Sequence, residues 1–74
     1  MELTSRELDV LRLAAEGCSM EITGQRLFIS LNTVREHRKK TLKKLGAINM
    51  THAVAIAFRR GILLGEGFIF GAGV

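Results

Sequence analysis

Apolar and polar positions along the chain recur with helical spacing in four blocks. In the first, Leu8, Val10, Leu11, Leu13, Ala14 and Ala15 spread over one broad side while Asp9, Arg12 and Glu16 share the other, the pattern of an amphipathic helix turned toward a core. Thr4 and Glu7 stand at the spacing of a capping box, so the helix is predicted to begin at about Ser5, and Gly17 sits where a left-handed C-terminal cap needs no side chain. Ser19 is the next N-cap, for a short helix over Met20–Leu27 with Met20, Thr23, Gly24 and Leu27 on one face and Ile22 pointing away. A helical glycine costs roughly 1 kcal/mol relative to alanine. Gly24 therefore predicts either a second backbone crossing close by or a weak helix that ends there.

Ser30 caps a third helix running to Leu45 and closed by Gly46. At 100 degrees per residue, Val34, Thr41, Leu42 and Leu45 turn inward with Leu31, and Asn32, Arg35, Glu36, Lys39 and Lys43 share the opposite arc. Thr33, His37, Lys40 and Lys44 lie along one flank, where a phosphate backbone could be met. Arg38 falls near the middle of the inward arc. Either its aliphatic stem packs while the guanidinium escapes to the surface, or the helix is rotated. A fourth helix is predicted from the cap Asn49 through Ala53, Val54, Ile56, Ala57 and Phe58, with Arg59 and Arg60 complementing the dipole of its last turn before Gly61. The rest of the chain is apolar and punctuated by glycine, without a helical or strand period, and contains no repeat or linker.

The fold class is thus all-α, and the absence of Trp, Tyr and Pro from a highly apolar chain suits a bundle of short helices. Its 74 residues make one domain with a small core and no room for a lidded catalytic cleft. Helices two and three, joined by a turn of about three residues, form a helix-turn-helix whose second helix fits the major groove of DNA. Charge sharpens this. Six of the eleven Lys and Arg residues lie between Arg35 and Lys44, answered locally only by Glu36, so the net charge of +4 is concentrated on that helix. Basic runs on helices are often only solvated faces, and a basic pI by itself does not separate nucleic acid from an acidic protein or a membrane surface.

Cys18 is the lone cysteine, which excludes an intramolecular disulfide and fits a reducing cytoplasm; it is expected to fill a small apolar slot between helices one and two. Acids near the start and the lack of a long apolar run argue against a signal peptide or membrane span, so a soluble, cytoplasmic protein is expected. His37 and His52 are too far apart, with too few companions beside Cys18, for a zinc site, and no nucleophile, base and orienting group are grouped for catalysis. No cofactor and no enzymatic activity are expected.

L-T-S-R-E-L-D-V-L-R-L-A-A-E-G at 3–17, L-F-I-S-L-N-T-V-R-E-H at 27–37, K-K-L-G at 43–46 and H-A-V-A-I-A-F-R-R-G at 52–61 together resemble the LuxR/GerE-type DNA-binding domain. The likeness covers about 3–64, and the order and spacing of several motifs make it specific. It implies a four-helix domain over 1–64, followed by an apolar, Gly-rich tail at 65–74, in a bacterial transcription regulator that binds double-stranded DNA as a homodimer on an inverted repeat. By position, Arg35, Glu36 and Lys39 match base readers, and Ser30, Asn32, Thr33, His37, Lys40 and Lys43 match residues near the DNA backbone. Helix four, with Ala53, Val54, Ile56 and Ala57, matches the dimer contact. RNA polymerase is a further implied partner.

The chain also departs from that pattern. Ile22-Thr23-Gly24 stands where the family usually has Glu-Ile-Ala, Arg38 and Thr41 occupy usually apolar positions, and Met50 replaces a common Arg. The altered helix two, Arg38 and Thr41, with Phe68, Ile69 and Phe70 of the tail, support an alternative: an interaction module of the same fold acting on another regulator or on polymerase. The likeness begins almost at Met1, so the chain is expected to be either a complete small regulator or the C-terminal domain of a longer protein.

Overall fold

Side-chain caps set the start of every helix. A computed structural model describes residues 2–63 and contains, in order, α1 (Ser5–Ala15), α2 (Met20–Leu27), α3 (Leu31–Leu45) and α4 (Met50–Arg59). At α1 the Thr4 hydroxyl accepts from the Glu7 N–H and the Glu7 carboxylate accepts from the Thr4 N–H, closing the capping box. Ser19, Ser30 and Asn49 accept from the backbone N–H groups of Ile22, Thr33 and His52. α3 closes on Gly46 at φ 69°. α2 closes instead on Phe28 at φ 58°, a left-handed residue without glycine's freedom that is 93% exposed.

α3 packs against α1, α2 and α4, and α1 also packs on α4. The apolar stripes meet in a core of Val10, Leu11, Val34, Leu45, Ala53, Ile56, Ala57 and Leu63. Among the described residues there is no strand, and no helix is long and apolar enough to cross a membrane. The sequence 65–74, expected as a separate tail, lies outside the described residues, Phe68, Ile69 and Phe70 included.

Two polar residues complete the core without breaking it. Thr23 and Thr41 are fully buried, and each donates its hydroxyl to the carbonyl four residues earlier, Ser19 and His37, at 2.8 Å. A buried hydroxyl bonded to its own helix leaves no orphan, so only the methyl faces the core. Thr41 therefore continues the inward seam although it stands at a usually apolar position. Leu31 corrects the inward assignment: it is 37% exposed and borders an open groove with Glu21, Gln25 and Phe28 beside α2.

Gly24 is where a second backbone crosses. A Cβ there would lie 2.8 Å from the Ile29 carbonyl oxygen and 3.5 Å from Val34 Cγ2. That carbonyl belongs to the turn between α2 and α3, tied back by the Ile29 N–H donating to the Gly24 carbonyl at 3.0 Å. Overpacking against backbone costs about 1–3 kcal/mol, while alanine's helix preference returns about 1 kcal/mol. Gly24→Ala is expected to lower stability by a net of about 1 kcal/mol, read from urea unfolding, with the turn amides carrying the largest NMR shifts.

Candidate nucleic-acid interface

The three residues Phe28, Ile29 and Ser30 connect α2 to α3. Phe28 and Ile29 both donate backbone N–H groups to the Gly24 carbonyl, and Ser30 accepts from the Thr33 N–H at 3.1 Å while donating its hydroxyl to Thr33 Oγ1 at 2.9 Å. The turn is thus held from both sides. It presents the first turn of α3 with the Leu31 and Asn32 N–H groups carrying no acceptor among the described residues.

Along α3, Arg35, Glu36, Lys39, Lys40 and Lys43 are exposed, as are Ser30 and Asn32, with Thr33 and His37 half-buried. The structure brings these residues onto the outer side of one helix; Arg35 to Lys43 spans about 12 Å of its axis. The side chains of Arg35, Glu36, Lys39, Lys40 and Lys43 make no hydrogen bond or ion pair with any other described residue. Among the described residues elsewhere, Arg6 and Arg12 both pair with Asp9 and Arg26 pairs with Glu16, while Arg59 and Arg60 at the end of α4 have no ion pair. These exposed pairs contribute little stability, but they cancel charge locally. The outer face of α3 keeps its charge.

Two of the six clustered cations leave that face. Lys44, expected on the phosphate flank, lies against α1, where its Nζ donates to Glu7 Oε1 at 2.7 Å and to the Glu2 carbonyl at 3.4 Å. Its partner is buried: Glu7 is 2% exposed. Burial pushes the Glu7 carboxyl up, but the Lys44 hydrogen bond, the Thr4 N–H, the Lys44 charge and the Thr4 hydroxyl together outweigh it, and the group titrates below its ordinary value. Nothing in the sequence marks this pair, since its members are 37 residues apart. Arg38 is the second cation to leave. It is half-buried between helices, and its Nε is fully buried with no partner. Of the two readings of Arg38, rotation of α3 is excluded because Val34, Thr41 and Leu45 still face the core; the packed stem with an escaping guanidinium holds in part, since the residue is half-buried but its Nε stays inside.

The residues expected at a dimer contact need a correction. Ala53, Ile56 and Ala57 are 0%, 6% and 0% exposed in the chain's own core, where a second copy cannot reach them. Helical periodicity shows which side of α4 is apolar, but not that α1 and α3 already cover it. Val54 is half-buried, and Thr51, Ala55 and Arg59 face outward. Cys18, expected in a slot between α1 and α2, is half-buried at the edge of a cleft that also involves α3 and α4. Among the described residues no group of His, Cys, Asp and Glu is placed to hold a metal ion.

The family model GerE, described as bacterial regulatory proteins of the luxR family, matches residues 1–57. The transcriptional activator protein BjaR1 of Bradyrhizobium diazoefficiens is 44% identical over 61 residues, 82% of this chain and 25% of that protein. The transcriptional regulatory protein LiaR of Bacillus subtilis is 39% identical over 61 residues, 82% of this chain and 29% of LiaR. The uncharacterized transcriptional regulatory protein YxjL of the same organism is 42% identical over 60 residues, 81% of this chain and 28% of YxjL. The chain therefore spans between a quarter and a third of the length of these relatives.

Proposed function

The chain belongs to the luxR family of bacterial regulatory proteins, and from that premise we propose that it binds double-stranded DNA sequence-specifically as a transcription regulator, acting by recognition and not by catalysis. The observation that carries this reading is the outer face of α3, where Arg35, Lys39, Lys40 and Lys43 stand exposed and unpaired among the described residues.

In this reading α3 lies in the major groove. Arg35 and Lys39 donate to guanine O6 and N7, and Glu36 accepts from cytosine N4. Ser30, Asn32, Thr33, His37, Lys40 and Lys43 meet the phosphates, and the free N–H groups at the start of α3 supply an anion-binding end. Two copies joined through the outward side of α4, at Thr51, Val54 and Ala55, set their recognition helices on an inverted repeat with half-sites about 34 Å apart. RNA polymerase is then the partner that converts occupancy into regulation.

The alternative, an interaction module with decayed DNA affinity, is less well supported. Thr41 and Gly24, two of its grounds, have structural explanations, and its tail residues lie outside the described part.

Selection of bound duplexes from a random pool, followed by anisotropy titrations on the enriched and a scrambled duplex, tests the reading. Enrichment of an inverted repeat is the expected outcome. Lys43→Ala is expected to weaken binding to both duplexes and to flatten the slope of log K against log salt by about 0.9. Lys39→Ala is expected to lose discrimination at one base pair by about tenfold. Equal losses for both variants on both duplexes would refute the division between phosphate and base contacts.

A further inference from the structure

The cleft that holds Arg38 has no part in DNA recognition as described. It is an open hollow of about 390 Å³ between the end of α1, the middle of α3 and the start of α4, lined by Ala14, Ala15, Cys18, Arg38, Met50 and Val54 among others. That volume falls within the range of small-molecule sites, about 300–1,000 Å³. Such sites pair an apolar wall with a few convergent polar groups, and here one cation and the Thr51 hydroxyl stand beside an apolar patch of Ala14, Ala15, Met50 and Val54.

We propose that this cleft binds a small organic carboxylate with an apolar body, the carboxylate on the Arg38 guanidinium and the body on Ala14, Ala15, Met50 and Val54. The argument is one of missing complement. Among the described residues no carboxylate lines the cleft, and the Arg38 side chain has no hydrogen bond or ion pair with any of them. Its Nε is buried without an acceptor. The buried Nε is closed to a ligand, so the two outer Nη groups are the donors that a planar carboxylate meets from the cleft, through two parallel N–H bonds. The carbonyls at the end of α1 do not supply that acceptor: Ala14 accepts from Gly17, and Leu13 from Glu16 and Cys18. A single cation beside the apolar patch of Ala14, Ala15, Met50 and Val54, with Thr51 and Cys18 at its side, selects a monoanion with a hydrocarbon chain over a phosphate dianion.

Octanoate, octanol and acetate separate the two halves of the recognition in ¹H–¹⁵N NMR titrations. Thr51 and Val54 border both the cleft and the proposed α4 contact, so the titrations are run at a concentration where sedimentation gives a monomer. Octanoate is expected to shift the amides of Ala14, Ala15, Cys18, Thr51 and Val54 and the Arg38 Nε–H saturably. It is expected to bind at least about tenfold tighter than octanol or acetate, a difference of about 1.4 kcal/mol. Arg38→Met is expected to keep the folded spectrum and to lose the preference for octanoate over octanol, while Lys40→Gln keeps it. Equal binding of octanoate and octanol, wild-type octanoate affinity in Arg38→Met, or shifts confined to the outer face of α3 would each overturn the proposal. DNA binding does not enter these readouts, so they stand or fall apart from the regulator reading.

Discussion

Glu7→Ala is expected to lower the unfolding free energy by about 3 kcal/mol, a large part of the margin of a domain this small. Two losses combine. The reciprocal cap at the start of α1 disappears, worth about 1 kcal/mol. The partner of Lys44 disappears as well, and removing one member of a buried pair costs about 3–5 kcal/mol. Here Lys44 keeps a 22% exposed side chain, so water can solvate the stranded ammonium in part and the loss falls below that range. Urea unfolding at neutral pH reads the sum.

The pH dependence separates the charge from the cap. Because the folded pKa of Glu7 lies below its ordinary value of 4.5, the carboxylate contributes stability that is fully present above that value. The contribution is lost as pH falls through the folded pKa. Glu7→Gln should therefore be less stable than the wild type at neutral pH and should converge on it in acid. Parallel curves through that window would assign the stability to other carboxylates. The pair also fixes where Lys44 points: Lys44→Gln should destabilise the domain while leaving the salt slope of DNA binding unchanged, unlike Lys43→Ala. A phosphate contact by Lys44 would flatten that slope.

These contrasts show what the sequence carries and what it withholds. Thr4, Ser19, Ser30 and Asn49 each precede a helix at a spacing that only a cap explains, because cap and capped N–H are three residues apart. The outer face of α3 was legible for the same reason, since exposed side chains need nothing from the rest of the fold. Gly24 was half legible: its cost in a helix announces a neighbour, but only the folded turn identifies that neighbour as the Ile29 carbonyl. Lys44 and Glu7 are unreadable, because their meeting depends on how α3 crosses α1. Ala53, Ile56 and Ala57 mislead by the same limit. A small apolar stripe looks alike whether its partner is α1 of the same chain or α4 of another. Phe28 adopts a conformation usually left to glycine, and no residue type in the turn foretells it.

Arg38→Met is expected to raise stability by about 2 kcal/mol, opposite in sign to most core substitutions. A buried donor without a partner costs about 1–3 kcal/mol, more when the group is charged. Methionine keeps the straight aliphatic stem that packs between the helices, adapts to an irregular wall and removes the orphaned Nε with its charge. What opposes the gain is the loss of whatever solvent the outer guanidinium reaches, and Arg38 is only half-buried, so the expected value stays well below the full cost of an interior ion. Thermal and urea unfolding at neutral pH check it, and a variant no more stable than wild type would mean that the guanidinium has found compensating contacts in the cleft. If the gain is found, Arg38 lowers stability at a position where an apolar side chain would serve the fold better. Such a residue is retained at the expense of the core, and a binding role in the cleft accounts for that placement where packing does not.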